Sequence, residues 1–181
     1  MTDILSTYGR PVIIKNYFTT ERLRICPLAY KNVRFILELV NTAGWLKFIG
    51  DRNVKNKADA QAYIQKIKNR PNVKYWTVYL EGERTPIGII TFIKRDYLDQ
   101  PDIGFAFLPR FTKAGYAFEA TAAVLNSLRN DQGLKSILAT TLPENIDSTC
   151  LLCKLGFLLE KQITVDGLRL LVYKLELGTV R

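Results

Sequence analysis

The hydrophobic pattern changes period repeatedly along this chain, and each change marks an element. From Glu21 to Leu28 (ERLRICPL), Leu23 and Ile25 alternate with Arg22 and Arg24, the period of a half-buried strand that stops near Pro27. Asn32 to Val40 places Val33, Ile36, Leu37 and Val40 at helical spacing, and Asp59 to Ile67 repeats it with Ala60, Tyr63, Ile64 and Ile67. Between them, Asn41 to Asn53 (NTAGWLKFIGDRN) mixes glycines and aromatics without a period and reads as a mobile loop with aromatic contacts. Lys74 to Leu80 (KYWTVYL) and Pro86 to Ile93 (PIGIITFI) read as strands joined by a Glu81-Gly82-Glu83-Arg84 turn, a hairpin that feeds a further strand beginning at Asp102. In residues 1–20 the signals are mixed: Val12-Ile13-Ile14 reads as a short edge strand and the remainder as loop.

The chain is organised around Asp102 to Glu119, DIGFAFLPRFTKAGYAFE. Ile103 to Leu108 has the bulk and length of a buried strand, and Pro109 stops it. A short basic segment, Arg110 to Gly115, follows. Then Ala117, Ala120, Thr121, Val124, Leu125 and Leu128 fall on one helical face, predicting a helix from Gly115 to about Asn130, ended by Gly133. A strand, a tight basic turn and a helix opening at a glycine form an anion site, because the first helical N–H groups are free and the dipole is positive there. A phosphate is the ligand this predicts.

Lys135 to Thr141 predicts another strand, and a helix runs from Pro143-Glu144-Asn145 to about Leu155, with Asn145 as N-cap and Gly156 closing it. Phe157 to Val165 and Leu168 to Leu175 form a final hairpin around Asp166-Gly167. The whole predicts one α/β domain over 1–181: a mixed, mostly antiparallel sheet of about six to seven strands flanked by four or so helices.

Composition narrows the chemistry. The chain has 181 residues, 48% hydrophobic and 24% charged, enough for a sizeable core. No long uncharged apolar run is present, so no membrane span is expected, and the opening residues lack a signal pattern, which makes cytoplasmic the default. Net charge is +9, which favours anionic partners such as nucleotide phosphates, acidic peptides, ribosomes or nucleic acid, although a merely solvated basic surface reads the same way. With no histidine, Ser-His and Cys-His catalysis are excluded. Cys150 and Cys153 form a C-x-x-C, but without histidine or a second cysteine pair the three cysteines read as reduced thiols and no metal is expected.

PDIGFAFLPRFTKAGYAFEA, followed about 25 residues later by PENIDSTCLLCKLGF, resembles the GNAT N-acetyltransferase superfamily, and more closely its RimJ/RimL-like branch of ribosomal-protein N-terminal acetyltransferases. TERLRICPL and GWLKFIGDRNV resemble that branch too, and the likeness spans residues 19–176. It implies a GNAT-like fold and an acetyl-CoA-dependent transferase acting on an amine, with no covalent enzyme intermediate. It implies that the strand residues Phe105, Ala106, Phe107 and Leu108 offer backbone groups to the pantetheine arm. Lys113, Ala114, Gly115, Tyr116 and Ala117 would hold the pyrophosphate, with Arg110 beside them. Asn145 would touch the CoA arm, and Ser148 would protonate the leaving thiolate. Asp102 is the candidate base, and Trp45, Phe48 and Asp51 would border the acceptor.

Each residue also has a plain structural reading: solvated turn charges for Arg110 and Lys113, an exposed strand-start acid for Asp102, a local helix serine for Ser148, a cap for Asn145, core packing for Tyr116, helix packing for Trp45 and Phe48. The family turn is altered here, with Thr112 at the leading Gln/Arg position and Lys113 where a glycine is common; a lysine there requires a backbone conformation a side chain tolerates. Leu152 stands where many members carry a tyrosine acid. The acceptor the residues favour is a protein N-terminal amine. A small amine (polyamine, amino sugar or antibiotic) is the alternative, and a catalytically silent CoA-binding or ribosome-associated module is the reading from another class. Monomer and homodimer both remain open.

Overall fold

The computed structural model describes residues 16–129 and 134–178. The expected strand at Val12-Ile13-Ile14 and the helix stop at Gly133 lie outside them. The described residues form one eight-stranded sheet, five α-helices and two 3₁₀ turns. The strands are β1 (Phe18–Thr19), β2 (Leu23–Pro27), β3 (Val73–Leu80), β4 (Pro86–Ile93), β5 (Asp102–Phe107), β6 (Ser136–Thr141), β7 (Leu158–Val165) and β8 (Leu168–Glu176). The helices are α1 (Val33–Leu39), α2 (Ala43–Phe48), α3 (Lys57–Lys68), α4 (Tyr116–Arg129) and α5 (Ile146–Lys154). The sheet order is β1-β2-β3-β4-β5-β6-β8-β7, antiparallel throughout except where β5 meets β6.

The mixed α/β class matches the sequence pattern, with one strand and one helix more than the periodicities count. The extra strand is the two-residue β1, too short to show a period. The extra helix is α2, inside the segment that reads as a loop. Thr42 starts it by accepting the Trp45 N–H at 3.3 Å, and Trp45, only 4% exposed, anchors it in the core. Six residues interrupted by Gly44 are too few to declare a period.

Strand alternation divides the side chains between two cores. On one face, α4 and α5 pack over Trp76, Val78, Ile90, Phe92 and Ile103, with Phe105 and Phe107 at the margin. On the other, α1, α2 and α3 cover Ile89 and Leu108, joined by Tyr75 and Ala106. The 94–101 connection folds over the α1–α3 side, where Leu98 plugs a small cluster with Leu138 and Val172. The β7–β8 turn follows its predicted chemistry: Asp166 and Gly167 both have positive φ, 50° and 78°, as a two-residue hairpin loop requires.

Candidate active site

Strand β5 has two different edges. Toward β4 it pairs residue by residue from Asp102↔Ile93 to Phe107↔Gly88. Toward β6 the register holds a single parallel pair, Asp102↔Leu138, backed by the Leu138 N–H donating to the Pro101 carbonyl at 2.9 Å. Beyond that pair no residue of β5 is registered with β6, so the ladder stops there and the sheet opens.

The peptide groups that face the opening follow from alternation. Leu108 donates its N–H to the Ile87 carbonyl, across β4, at 2.9 Å. In an antiparallel ladder the groups of every second residue point the same way, so Ala106 and Leu108 are turned to β4. Pro101 is in the opposite phase, and with it Phe105 and Phe107, whose N–H and C=O groups face the gap. Of the four strand residues expected to offer backbone groups, two are therefore aimed at the opening and two are committed to the ladder.

Beyond β5 the chain makes a 3₁₀ turn, Pro109–Phe111, and enters α4 through two left-handed residues, Lys113 (φ 60°) and Gly115 (φ 83°). Lysine is uncommon in that region, where Cβ meets the carbonyl, so the turn is held by its surroundings. Successive N–H groups in such a turn form an anion-binding concavity, here set at the N-terminus of a 14-residue helix. Arg22, on the segment entering β2, lies across this turn. Its guanidinium stacks over Tyr116 at 4.7 Å, donates to the Ala114 carbonyl at 3.2 Å, and pairs with the Glu119 carboxylate at 2.6 and 2.7 Å. Thr20 also donates to Glu119. Burial works against the Glu119 charge, but the hydrogen bonds from Thr20 and Arg22 outweigh it and hold the carboxyl below its usual range.

Asp102 stands at the apex of the gap, on the α1–α3 face. It is 2% exposed, so it is not the solvated strand-start acid of the plain reading. Arg95 Nε donates to both its oxygens, at 2.9 and 3.0 Å, and Thr140 Oγ1 on β6 donates to Oδ2 at 3.4 Å. Burial pushes the Asp102 carboxyl up, and Arg95 and Thr140 pull against that without cancelling it. The Arg95 guanidinium, disfavoured by its own burial, is nonetheless held more firmly protonated by Asp102. Nearby, burial and a hydrogen bond with Tyr63 push the Tyr75 phenol up, keeping it protonated.

On the far wall of the gap, Asn145 caps α5 by accepting the Ser148 N–H at 3.2 Å, as its position predicts. The Ser148 hydroxyl takes no part in that cap. Leu152, at the place where many relatives carry a tyrosine, is buried in the core under α4 and α5.

The structure does not bring every expected site residue here. Arg110 pairs with Glu38 of α1 and lies against its neighbour Phe111 at 5.1 Å, so its guanidinium is engaged with the α1 side. Trp45 packs in the second core, with its indole N–H buried and without a hydrogen-bond partner. Phe48 is half-buried with Lys47 over its ring at 4.9 Å, and Asp51 is exposed, accepting the Asn53 N–H at 2.7 Å. Sequence reading missed Arg22, Arg95 and Thr140. Arg22 stood in TERLRICPL only as the polar half of an alternation, and nothing local joins it to Glu119, 97 positions away. Among the described residues the three cysteines are free thiols, no cluster of acids or thiols could hold a metal, and no helix is long and apolar enough to cross a membrane.

A sheet opened at β5 and β6, with a helix N-terminus on one side of the opening, is suited to hold a substrate that carries phosphates. The acetyltransferase (GNAT) domain family matches residues 22–158, and the chain belongs to that family. It is similar to the uncharacterized N-acetyltransferase YnaD of Bacillus subtilis (strain 168), 33% identical over 140 residues that make up 77% of this chain and 81% of that protein. Among solved structures, a GNAT-family acetyltransferase from Bacillus anthracis superposes with a TM-score of 0.75 at 26% identity, covering 89% of this chain and 98% of that one. RimL, a ribosomal L7/L12 α-N-protein acetyltransferase solved with coenzyme A, superposes with a TM-score of 0.76 at 14% identity, covering 88% and 97%. The protein is an acetyltransferase.

Proposed function

We propose that this enzyme moves an acetyl group from acetyl-CoA to the α-amine of a protein N-terminus, by direct transfer in a ternary complex. The observation that carries this reading is the opening between β5 and β6, whose two sides offer different chemistry. Phe105 and Phe107 present peptide groups to an amide-bearing arm, and the Lys113–Ala117 turn presents N–H groups to a pyrophosphate. Asp102 faces the opposite side of the sheet, where an amine would approach. Acetyl-CoA supplies an activated thioester, and acetyl-CoA is the only cofactor the proposed reaction needs.

In the proposed reaction, an ammonium acceptor first gives its proton to the Asp102 carboxylate, directly or through water. The amine nitrogen then attacks the thioester carbonyl carbon, whose developing oxyanion is stabilised by backbone N–H groups at the gap. The carbon–sulfur bond breaks, the Ser148 hydroxyl passes its proton to the departing thiolate and is reprotonated, through water, by the second proton that the nitrogen sheds, and Asp102 returns its proton to solvent. Burial raises the Asp102 carboxyl above its ordinary value, the direction that makes it a stronger base. An α-amine has a pKa of roughly 8 and a lysine amine about 10.4, so deprotonation at pH 7 costs about 1.4 against 4.6 kcal/mol. A single paired carboxylate in a chain without histidine suits the first task better.

The likeness to RimL in fold supports the same acceptor class and an encounter with ribosomal protein, and the +9 charge suits such a partner. The test is an acceptor panel read by thiol release: peptides with free or blocked N-termini, an internal-lysine peptide, spermidine and an amino sugar. Turnover that disappears when the N-terminus is blocked is the expected result. Turnover of spermidine or the amino sugar alone would move the acceptor to a small amine, and binding of acetyl-CoA with no thiol release on any acceptor would make this a silent module.

A further inference from the structure

The best-connected side chain near the proposed phosphate turn is one that no chemistry above uses. Arg22 is 46% exposed, yet each part of its guanidinium is engaged: Nε and Nη2 on Glu119, Nη1 on the Ala114 carbonyl, and the flat face on Tyr116. Its backbone is fixed as well, with the N–H given to Glu119 at 3.2 Å and the carbonyl accepting from Glu81 at 2.8 Å. A Cβ built on Gly115 would stand 3.3 Å from Nη2, so the guanidinium lies directly against the turn.

Two oxygens in this turn oppose an anion. One is the Ala114 carbonyl, between the left-handed Lys113 and Gly115; the other is the Glu119 carboxylate, in the first turn of α4. Arg22 binds both. We propose that Arg22 is the positioning residue of the phosphate turn: it ties back the Ala114 carbonyl and neutralises Glu119, leaving the Lys113–Ala117 N–H groups to meet the pyrophosphate of acetyl-CoA. This rests on the acetyl-CoA reading above. It also accounts for the altered turn: a cation supplied from β2's leading segment orders a loop that lacks the usual residue at Thr112 and the usual glycine at Lys113.

The role needs a planar fork and a stackable face, which lysine does not offer. It also acts only on the part of the donor that carries phosphates. Kinetics with acetyl-CoA and with S-acetylpantetheine, which has the same thioester and arm but no phosphate, therefore test it. Arg22→Ala and Arg22→Lys are expected to raise KM for acetyl-CoA about tenfold or more, the loss of roughly one charge-assisted contact network. KM for acetylpantetheine and kcat with either donor should hold within about twofold. Adding Glu119→Gln to Arg22→Ala should recover part of the KM, because the uncompensated carboxylate is gone. Equal losses for both donors, or a fall in kcat at constant KM, would show that Arg22 is a general structural residue and overturn the proposal. If Arg22→Ala does not fold, Arg22→Lys and Glu119→Gln with Thr20→Val carry the same comparison. A wild-type enzyme that uses both donors with the same KM overturns this inference alone; one that binds neither overturns the acetyl-CoA reading with it.

Discussion

The two edges of strand β5 come from the same residues and end in opposite states. On the β4 side the ladder is complete from Asp102 to Phe107, and the fit is tight: a Cβ on Gly88 would lie 2.4 Å from the Phe107 ring, and one on Gly104 2.7 Å from Thr91 Oγ1. On the β6 side one pair closes the apex and the rest stays apart. The first edge is finished by packing, and nothing further can be added to it. The second leaves backbone groups in the middle of a sheet without a ladder partner, where leaving them unpaired costs free energy. The difference teaches that one strand can serve as scaffold through one set of peptide groups and, in the proposed reaction, as site through the alternate set.

The contrast is open to attack from both edges, and the largest effect is expected at the apex. Asp102→Asn removes the proposed base and leaves Arg95 without its charge partner; kcat should fall by about 10²–10⁴. The wild-type kcat/KM profile should carry an acidic limb, because activity needs the carboxylate and is lost as pH falls through its pKa. Since burial raises that pKa, the limb lies above the ordinary carboxylate value of about 3.9, and it should be absent in Asp102→Asn. An unchanged profile removes Asp102 from the chemistry.

At the finished edge, Phe107→Ala uncovers Gly88 and deletes a half-buried ring. A loss of about 2–3 kcal/mol in denaturant unfolding is expected, below the range for a fully buried phenylalanine. On the far wall of the gap, Asn145→Ala should cost about 1 kcal/mol of stability through the lost cap, whereas Ser148→Ala keeps that cap and should lower kcat alone. A Ser148→Ala variant with wild-type kcat would return that hydroxyl to a local role. The smallest effect is expected at Lys113, where φ is 60°. Lys113→Gly removes the left-handed strain at the expense of chain entropy and should change stability by about 0.5–1 kcal/mol in the favourable direction, measured by thermal or chemical unfolding.

Much of this was legible in the sequence, for reasons that also mark the limit. Periodicity reports which side of an element is buried, so β3, β4, α3 and α4 stand within a residue or two of their expected bounds. Turn chemistry is local, so Asp166-Gly167 and the Asn145 cap are where the residues put them. The strand–turn–helix around Gly115 was visible for both reasons. Pairing is not local. No pattern within β5 or β6 tells that they part after Asp102, and no pattern in TERLRICPL tells that Arg22 reaches Glu119. Trp45 shows the same limit from the other side. The family resemblance set it at the border of the acceptor, with helix packing as the plain alternative, and the fold shows it holding α2 to the core. Arg110, a turn cation in the sequence, is drawn to α1 by Glu38, a partner that only tertiary structure supplies.

A strand matched along one edge alone makes the lifetime of the folded chain depend on what is dissolved around it. Any ligand that completes the second edge binds the native state and not the unfolded one, and so adds RT ln(1 + [L]/Kd) to stability, about 2.7 kcal/mol at a hundred times Kd. For an enzyme whose donor fills that edge, starvation for the donor would weaken the fold as well as idle the reaction. The population open to proteolysis would then rise as the donor pool falls, so that the amount of enzyme tracks the supply of its own substrate.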